Sequence, residues 1–151
     1  MRVLAWNVQG AVPPNGSKNR IRDQIEFIET TAALPEVLML NEVTTAQRDL
    51  WRESLRDIGY SQLVDTLDWA NELGDSQIPP YHDANHVNGN LTAVHDEFAG
   101  KNLTRLRPSI WAGPWEAADL KDWDTNLPEK ILHAQIEVTD MTIDLWNIRA
   151  V

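Results

Sequence analysis

The sequence of 151 residues contains no cysteine. Disulfide bonds, thiolate zinc sites and a cysteine nucleophile are therefore excluded together. The longest apolar stretch, around Val37–Leu40, is far shorter than the roughly 20 residues that a membrane-spanning helix needs. The first residues also become polar too soon for a signal peptide. We therefore expect a soluble, cytoplasmic protein with no membrane partner.

Lysine is scarce, and acidic residues outnumber basic ones. Asp and Glu total 23 against 13 Lys and Arg, which gives a net charge of −10. The lysines are Lys18, Lys101, Lys121 and Lys130. An acidic surface keeps a protein hydrated in concentrated salt, so the composition fits a halophilic protein and equally a merely acidic one. It argues against a non-specific nucleic-acid coat but does not exclude a nuclease.

The first part of the chain predicts a β-α-β-α-β arrangement within a single domain. Apolar runs predict strands, and apolar stripes at helical spacing predict helices. One stripe consists of Ile21, Ile25, Ile28 and Ala32. The capping-box pair Thr44 and Gln47 opens the second helix, and Gly59 stands where a left-handed C-terminal residue belongs. The predicted elements are strands at Arg2–Val8, Glu36–Leu40 and Tyr60–Val64, and helices at Ser17–Thr31 and Thr44–Ile58.

The second part predicts further strands separated by irregular segments. Two alternating runs around the turn Thr139-Asp140 predict a hairpin. The predicted strands are Asn90–His95, Leu103–Trp111, Ile131–Val138 and Met141–Ile148. Leu67–Asn88 is predicted as a long surface loop with one short helix near Trp69–Leu73, and Trp111–Pro128 as irregular.

Polar side chains follow the apolar runs of the first two strands. Asn7 follows the first run, and Glu42 follows the second. In an open α/β sheet, ligands bind at the carboxyl ends of the strands, so we expect Asn7 and Glu42 to lie side by side at one sheet edge. A carboxylate beside a carboxamide suits Mg²⁺ or Mn²⁺. A helix-capping or solvated glutamate is the alternative interpretation of Glu42.

Several motifs occur in an order that resembles a known family. The first strand ends in Trp6-Asn7, and the second runs from Pro35-Glu36 to Asn41-Glu42. Gly89–Val94 resembles a glycine-led central strand, and Leu145–Arg149 resembles a strand that normally reads Asn-x-His. Together these motifs resemble the front half of the endonuclease/exonuclease/phosphatase superfamily, which are metal-dependent phosphodiesterases with the DNase I-like fold.

The resemblance implies an α/β (α+β) fold of the DNase I-like sandwich type. It implies Glu42 as the main ligand of a catalytic Mg²⁺ or Mn²⁺ ion. Asn7 would be its partner, either as a second ligand or as an orienter of the phosphate. The substrate would be a phosphodiester or a phosphorylated molecule, with nucleic acid included.

The departures from the family pattern are as informative. Arg149 stands where the family has a catalytic histidine, so Arg149 and Asn147 become candidate phosphate contacts. The family continues beyond this point with an Asp-x-Asn motif and a final Asp-His pair. Asp83-Ala84-Asn85 lies too early in the order to replace the first of these.

We therefore expect a truncated domain: one mixed sheet with two helices on one face, inactive alone. The partner sheet would be missing, which would leave the apolar faces of Arg2–Val8, Glu36–Leu40 and Asn90–Val94 exposed. The missing half would then come from a longer form of the same chain or from a second chain. The alternative is a non-catalytic remnant or accessory half-domain that binds a partner chain.

Other candidates have simpler explanations beside the functional ones. His82 and His86 have the spacing of a helical metal pair, but the flanking Pro79-Pro80 and Asn88-Gly89 disfavour a regular helix, so solvated loop histidines are the favoured interpretation. Trp6, Trp51 and Trp146 are predicted core residues, and His133 a structural one. Four further arginines are either phosphate contacts or ordinary surface residues: Arg20, Arg22, Arg105 and Arg107. One predicted loop contains Trp111, Trp115 and Trp123. These tryptophans either stack on nucleic-acid bases or anchor the loop to the rest of the protein.

Overall fold

The computed structural model describes residues 1–10, 18–31, 33–67, 88–98, 100–106 and 131–149. These residues form a mixed α+β structure with two sheets and two α-helices. The strands are β1 (Val3–Asn7), β2 (Val37–Thr44), β3 (Gln62–Asp65), β4 (Asn88–Val94), β5 (Gly100–Leu106), β6 (Ile131–Val138) and β7 (Met141–Ile148). The α-helices are α1 (Lys18–Thr30) and α2 (Arg48–Asp57), and a short 3₁₀ helix, Thr45–Gln47, precedes α2.

The first sheet has four strands in the order β1-β2-β4-β3. Strands β1 and β2 are parallel, as predicted, while β4 runs antiparallel to both of its neighbours. The third predicted strand therefore does not lie beside the second, because β4 separates them. Residues Gly89 to Val94 of β4 are all buried, so this strand takes a central position with neighbours on both sides.

The second sheet has three antiparallel strands in the order β5-β6-β7. The predicted hairpin is confirmed, with Val138 paired to Met141 across the turn. The expectation of a single mixed sheet without a partner is wrong. Strands β5 to β7 pair with one another, and they cover the first sheet with an apolar face of their own.

The two sheets meet in a small core. It contains Val37 and Val94 from the first sheet and Ala134, Ile136 and Leu145 from the second. The expected exposure of the second and fourth strands is therefore wrong, since Val37, Leu38, Leu91 and Val94 are fully buried. Strand β1 is covered less completely, because Val3 remains 45% exposed.

Both helices pack into the core on the opposite face of the first sheet. Leu38 and Leu40 of β2 point to this side and join a cluster with residues of both helices. The predicted stripe of α1 is confirmed at Ile21 and Ile28, which are buried, and at Ile25, which packs against the core, while Ala32 lies outside the described residues. The buried residues of α2 are Trp51 and Leu55. Gly59 ends α2 with φ of +92°, as predicted. The predicted cap at Thr44 is wrong, because the 3₁₀ turn intervenes and Thr44 makes no side-chain cap hydrogen bond.

The tryptophans divide between core and surface. Trp51 is fully buried, and Trp6 packs partly buried against the helix-side core. The prediction that Trp146 is a core residue is wrong, because it is 48% exposed. Leu145 and Asn147 take the inward positions of β7, so alternation along the strand turns Trp146 outward. There it stacks on His133 with ring centroids 3.9 Å apart.

Several predictions fall outside the residues that the structure describes. They are the short helix near Trp69–Leu73, the irregular segment Trp111–Pro128 and the end of the predicted strand Leu103–Trp111. None of the described helices is long and apolar enough to cross a membrane.

Candidate functional site at the edge of the first sheet

Glu42 occupies an irregularity within β2, not the position after it. Asn41 pairs with Asn90 and Val43 pairs with Gly89, so Glu42 is the extra residue of a β-bulge. Its φ is +61°, a left-handed conformation that is uncommon for a residue other than glycine. Bulges re-aim side chains and occur often beside functional sites.

The bulge changes the side of the sheet to which the chain presents its side chains. Leu40 and Val43 both belong to the helix-side core. Asn41 points to the other side, where it contacts Asn147 of the second sheet. Glu42 joins Asn41 on that side, because its carboxylate meets groups from β1 and β7. Regular alternation would instead have directed Glu42 into the helix-side core.

The expected neighbourhood of Asn7 and Glu42 is confirmed. Asn7 Nδ2 donates to Glu42 Oε1 at 2.9 Å. The parallel register aligns Asn7 with Asn41, which brings the ends of the two strands together. Asn7 Oδ1 is occupied by the backbone N–H of Gln9 at 2.9 Å. In this arrangement Asn7 orients the carboxylate, and its own oxygen stabilises the turn.

The turn after β1 is fixed against the backbone of Glu42. The N–H of Gly10 donates to the carbonyl of Glu42 at 3.1 Å. A Cβ atom at position 10 would lie only 2.2 Å from that carbonyl oxygen. Gly10 therefore permits an approach that no other residue would allow.

Arg149 completes the surroundings of the Glu42 carboxylate. Its NH2 lies 2.8 Å from Glu42 Oε1, and its NH1 donates to Asn88 Oδ1 at 3.2 Å. The Arg149 side chain is 26% exposed, whereas that of Glu42 is only 10% exposed. Both contacts to the carboxylate go to Oε1. Within the described part of the chain, Oε2 accepts no hydrogen bond.

Three buried or half-buried asparagines join the two sheets beneath this carboxylate. Asn41 Nδ2 donates to Asn90 Oδ1 at 3.0 Å and to Asn147 Oδ1 at 2.6 Å. Asn90 Nδ2 donates to the carbonyl of Asn147 at 2.7 Å. We call Asn41, Asn90 and Asn147 the amide staple.

Asn147 is the centre of the amide staple. Its Nδ2 contacts the carbonyls of Leu40 and Leu91 at 3.3 Å and 3.1 Å. The residue is only 3% exposed. Its amide is committed to the protein, so the geometry favours a positioning role for Asn147 over direct contact with a phosphate. Asn147 fixes β7 two residues before Arg149.

Asn41 and Asn90 were not among the candidate site residues that the sequence suggested. Their signal is visible in retrospect. Asn147 shares a strand face with Leu145, and Asn90 shares one with Thr92 and Val94, which are inward positions otherwise taken by small or apolar residues. Buried amides at such positions need hydrogen-bond partners, and here the asparagines form hydrogen bonds with one another.

A second charged cluster surrounds Asp65 at the end of β3. The carboxylate is fully buried and pairs with Arg48 at 2.9 Å and with Arg52 at 2.7 Å. Arg105, a predicted phosphate contact, donates from NH1 to the carbonyl of Asp65 at 2.7 Å. This cluster ties α2 and β5 to the first sheet, and the cost of burying the carboxylate is met by its pairing.

The other candidates lie apart from Glu42 or outside the described residues. Arg20 NH1 donates to the carbonyl of Gln9 at 3.0 Å, near the turn after β1, while Arg22 is exposed on α1. His133 lies 2.6 Å from Asp144, and this hydrogen bond holds the pKa of the Asp144 carboxyl below its usual value. Candidates outside the described residues are His82, His86, Arg107, Trp111, Trp115 and Trp123.

The donor set at Glu42 fits a magnesium-type site with few protein ligands. The described residues contain no group of three or more His, Asp or Glu side chains that could enclose a metal. Mg²⁺ does not require such a cage. It usually keeps several waters and takes one or two carboxylates together with phosphate oxygens of the substrate. The unbonded Oε2 of Glu42 offers one such ligand.

No model of a known protein family matches this sequence, and no curated protein matches it either.

Proposed function

We propose that the chain is a divalent-metal-dependent domain of the phosphoester hydrolase type, which binds Mg²⁺ or Mn²⁺ at Glu42. The observation that carries the proposal is the conformation of Glu42. A glutamate held at a positive φ, in a bulge that aims its carboxylate at Asn7 and Arg149, shows the kind of backbone strain that clusters at functional sites.

Each residue of the site has a role in this proposal. Glu42 would hold the ion through its carboxylate, and Asn7 would keep that carboxylate in place. The bound ion would polarise a phosphoryl oxygen and stabilise the charge that develops on the leaving oxygen. Arg149 would contact the phosphate, since a guanidinium fork matches phosphate oxygens.

The rigidity that the amide staple gives to the site also supports the proposal. It anchors β2, β4 and β7 to one another directly under the carboxylate. A site whose side chains must hold their positions needs a rigid support of this kind. The group that activates water is not among the described contacts of Glu42. We propose that it comes from elsewhere in the chain or from a partner chain.

The test of this proposal is a hydrolysis assay with 4-nitrophenyl phosphate and bis(4-nitrophenyl) phosphate. The wild type is compared with Glu42→Gln and with the control Glu53→Gln, which changes an exposed glutamate of α2. We expect turnover that requires Mg²⁺ or Mn²⁺, that Glu42→Gln abolishes and that Glu53→Gln retains. Turnover that survives Glu42→Gln would overturn the proposal.

The same samples give a second readout for a chain that binds but does not turn over. Saturable binding of Mn²⁺ that disappears in Glu42→Gln and persists in Glu53→Gln would support a metal site that needs a partner to act. Equal Mn²⁺ binding by wild type and Glu42→Gln would reject Glu42 as the ligand.

A non-catalytic, partner-binding domain is the second candidate function. It is favoured by apolar side chains left exposed on two strands at the edges of their sheets. Val3 of β1 is 45% exposed, and Trp146 and Ile148 of β7 are 48% and 54% exposed. Trp146 and Ile148 lie two residues apart on one face of β7, and exposed apolar side chains grouped in this way mark interaction sites. Self-association that Trp146→Ser weakens, in a chain that binds no metal, would favour this function over the first.

A further inference from the structure

Arg149 pairs with one oxygen of the Glu42 carboxylate, next to the oxygen that a cation would use. Its NH2 lies 2.8 Å from Oε1, on a carboxylate that is nearly buried. An ion pair at this distance, largely shielded from solvent, is held by a strong electrostatic attraction. The described surroundings of Glu42 thus already contain one positive charge before any metal enters.

We propose that Arg149 and a divalent cation compete for the carboxylate of Glu42, so that Arg149 closes the metal site until the metal displaces its side chain. This inference rests on the proposed function, because it assumes that Glu42 binds the metal. In this proposal Arg149 lowers the affinity of Glu42 for the metal. A carboxylate without a neighbouring arginine would lack this effect.

Electrostatics gives the reason for competition. A divalent ion and a guanidinium on one carboxylate would place three positive charges within a few ångströms of a single negative one. Like charges at such distances repel by several kcal/mol in partly buried surroundings, on the order of 332/(ε·r) per pair of unit charges. This repulsion favours the release of one of the two cations from the carboxylate, although Arg149 contacts only Oε1 and leaves Oε2 open.

The structure makes Arg149 the mobile partner of the pair. Its backbone is fixed, because Asn147 is bound to the first sheet two residues earlier. Its side chain is 26% exposed and can swing towards solvent without moving β7. The Glu42 carboxylate is held by Asn7, so it stays where it is.

The displaced guanidinium remains beside the site and is available to a phosphate group. Binding of phosphate to Arg149 would remove the competitor from Glu42, and so would favour metal binding. Metal and phosphate should therefore strengthen each other's binding, as coupling between two ligands requires.

The test measures the Kd for Mn²⁺ from the electron paramagnetic resonance signal of the free ion, with and without inorganic phosphate. The variants are Arg149→Gln, which removes the competing charge, and Arg149→Lys, which keeps it. Glu42→Gln removes the ligand. Arg56→Gln is the charge control, since Arg56 is an exposed residue in the last turn of α2.

We expect Arg149→Gln to bind Mn²⁺ roughly tenfold more tightly than the wild type. Arg149→Lys should lie near the wild type, and Arg56→Gln should change the Kd far less than Arg149→Gln does. Phosphate should strengthen Mn²⁺ binding in the wild type and have less effect in Arg149→Gln. Binding seen only in Arg149→Gln and lost when Glu42→Gln is added would support the inference most strongly.

Two results would overturn the inference, and they are distinguishable. Binding that requires Glu42 but is unchanged or weaker in Arg149→Gln would reject competition while leaving the metal site intact. No Mn²⁺ binding in any variant would reject the metal site itself and the inference with it. Circular dichroism of each variant confirms that the comparison is made between folded proteins.

Discussion

Gly10 is the residue at which the smallest change should disturb the site most. A Cβ atom there would lie 2.2 Å from the carbonyl oxygen of Glu42, and that oxygen belongs to the backbone and cannot rotate away. We expect Gly10→Ala to lower the free energy of unfolding by about 2 kcal/mol, in the range seen for overpacking, and to weaken Mn²⁺ binding. Urea unfolding and a Mn²⁺ titration measure the two effects. Unchanged stability together with unchanged metal binding would show that the turn and Glu42 are not coupled.

Tyr60 makes the stability of the protein sensitive to alkaline pH. Burial raises the pKa of its hydroxyl to about 12, and the hydroxyl donates to the carbonyl of Pro35 at 2.6 Å. An unfolded tyrosine ionises near pH 10. The contribution of Tyr60 is therefore complete below about pH 10 and is lost as the pH rises towards about 12.

The comparison of wild type with Tyr60→Phe isolates this effect. We expect the difference in unfolding free energy between the two proteins to shrink by about 1–2 kcal/mol between roughly pH 9 and pH 12. Urea unfolding at several pH values measures that difference. A constant difference across the range would contradict the assignment.

At the scale of single residues, the sequence predicted the meeting of Asn7 and Glu42 but not the conformation of Glu42. Strand ends are visible in the sequence because apolar runs stop there. A bulge is not visible, because a polar residue at the end of a strand and one in a bulge leave the same pattern. The outward position of Trp146 was missed for a related reason. Asn147 takes an inward position, and polarity alone would have placed it outside.

Strand β7 is the element that joins the two sheets at the site. Asn147 contacts two backbone carbonyls of the first sheet and exchanges hydrogen bonds with Asn41 and Asn90. We expect Asn147→Ala to lower the free energy of unfolding by about 2–4 kcal/mol, because several buried polar groups would lose their partner. Urea unfolding measures the change.

Thr142→Ala provides the control for that substitution on the same strand. Thr142 is exposed, so its replacement should change stability by no more than about 0.5 kcal/mol. Equal losses in the two variants would show that the amide staple contributes no more than an ordinary surface position.

Elements formed by local signals were predicted well, and pairings between distant segments were not. Helices α1 and α2 and the hairpin of β6 and β7 follow from periodicity and turn residues close together in the chain. The insertion of β4 between β2 and β3 and the pairing of β5 with β6 are long-range choices. The strand order depends on which strand buries both of its faces in the sheet. That in turn depends on how all the elements pack into the core.

The net charge of −10 acts at the scale of the whole molecule. Excess charge of one sign destabilises a compact state through self-repulsion, and salt screens that repulsion over a Debye length of about 3 Å at 1 M. We expect the midpoint of thermal unfolding to rise as KCl is increased from about 0.1 M to about 2 M. Differential scanning calorimetry measures the shift. A midpoint that is independent of salt, or falls, would contradict the destabilising effect of the net charge.

The two-sheet architecture places the candidate site where strands from both sheets meet. Asn7 and Glu42 come from the first sheet, and Arg149 follows the last strand of the second. The chain thus brings a carboxylate, an amide and a guanidinium together from three distant parts of its sequence. This convergence adds support to the proposal that Glu42 binds a divalent ion.

The most direct measurement of that claim is anomalous X-ray scattering from crystals of the protein grown with Mn²⁺. We expect a manganese peak in contact with the Glu42 carboxylate, with the Arg149 guanidinium moved away from Oε1. Crystals of Glu42→Gln grown in the same way should lack the peak. A well-ordered site with Arg149 still paired to Glu42 and no manganese beside it, at concentrations that saturate other Mn²⁺ proteins, would contradict both the metal site and the displacement of Arg149.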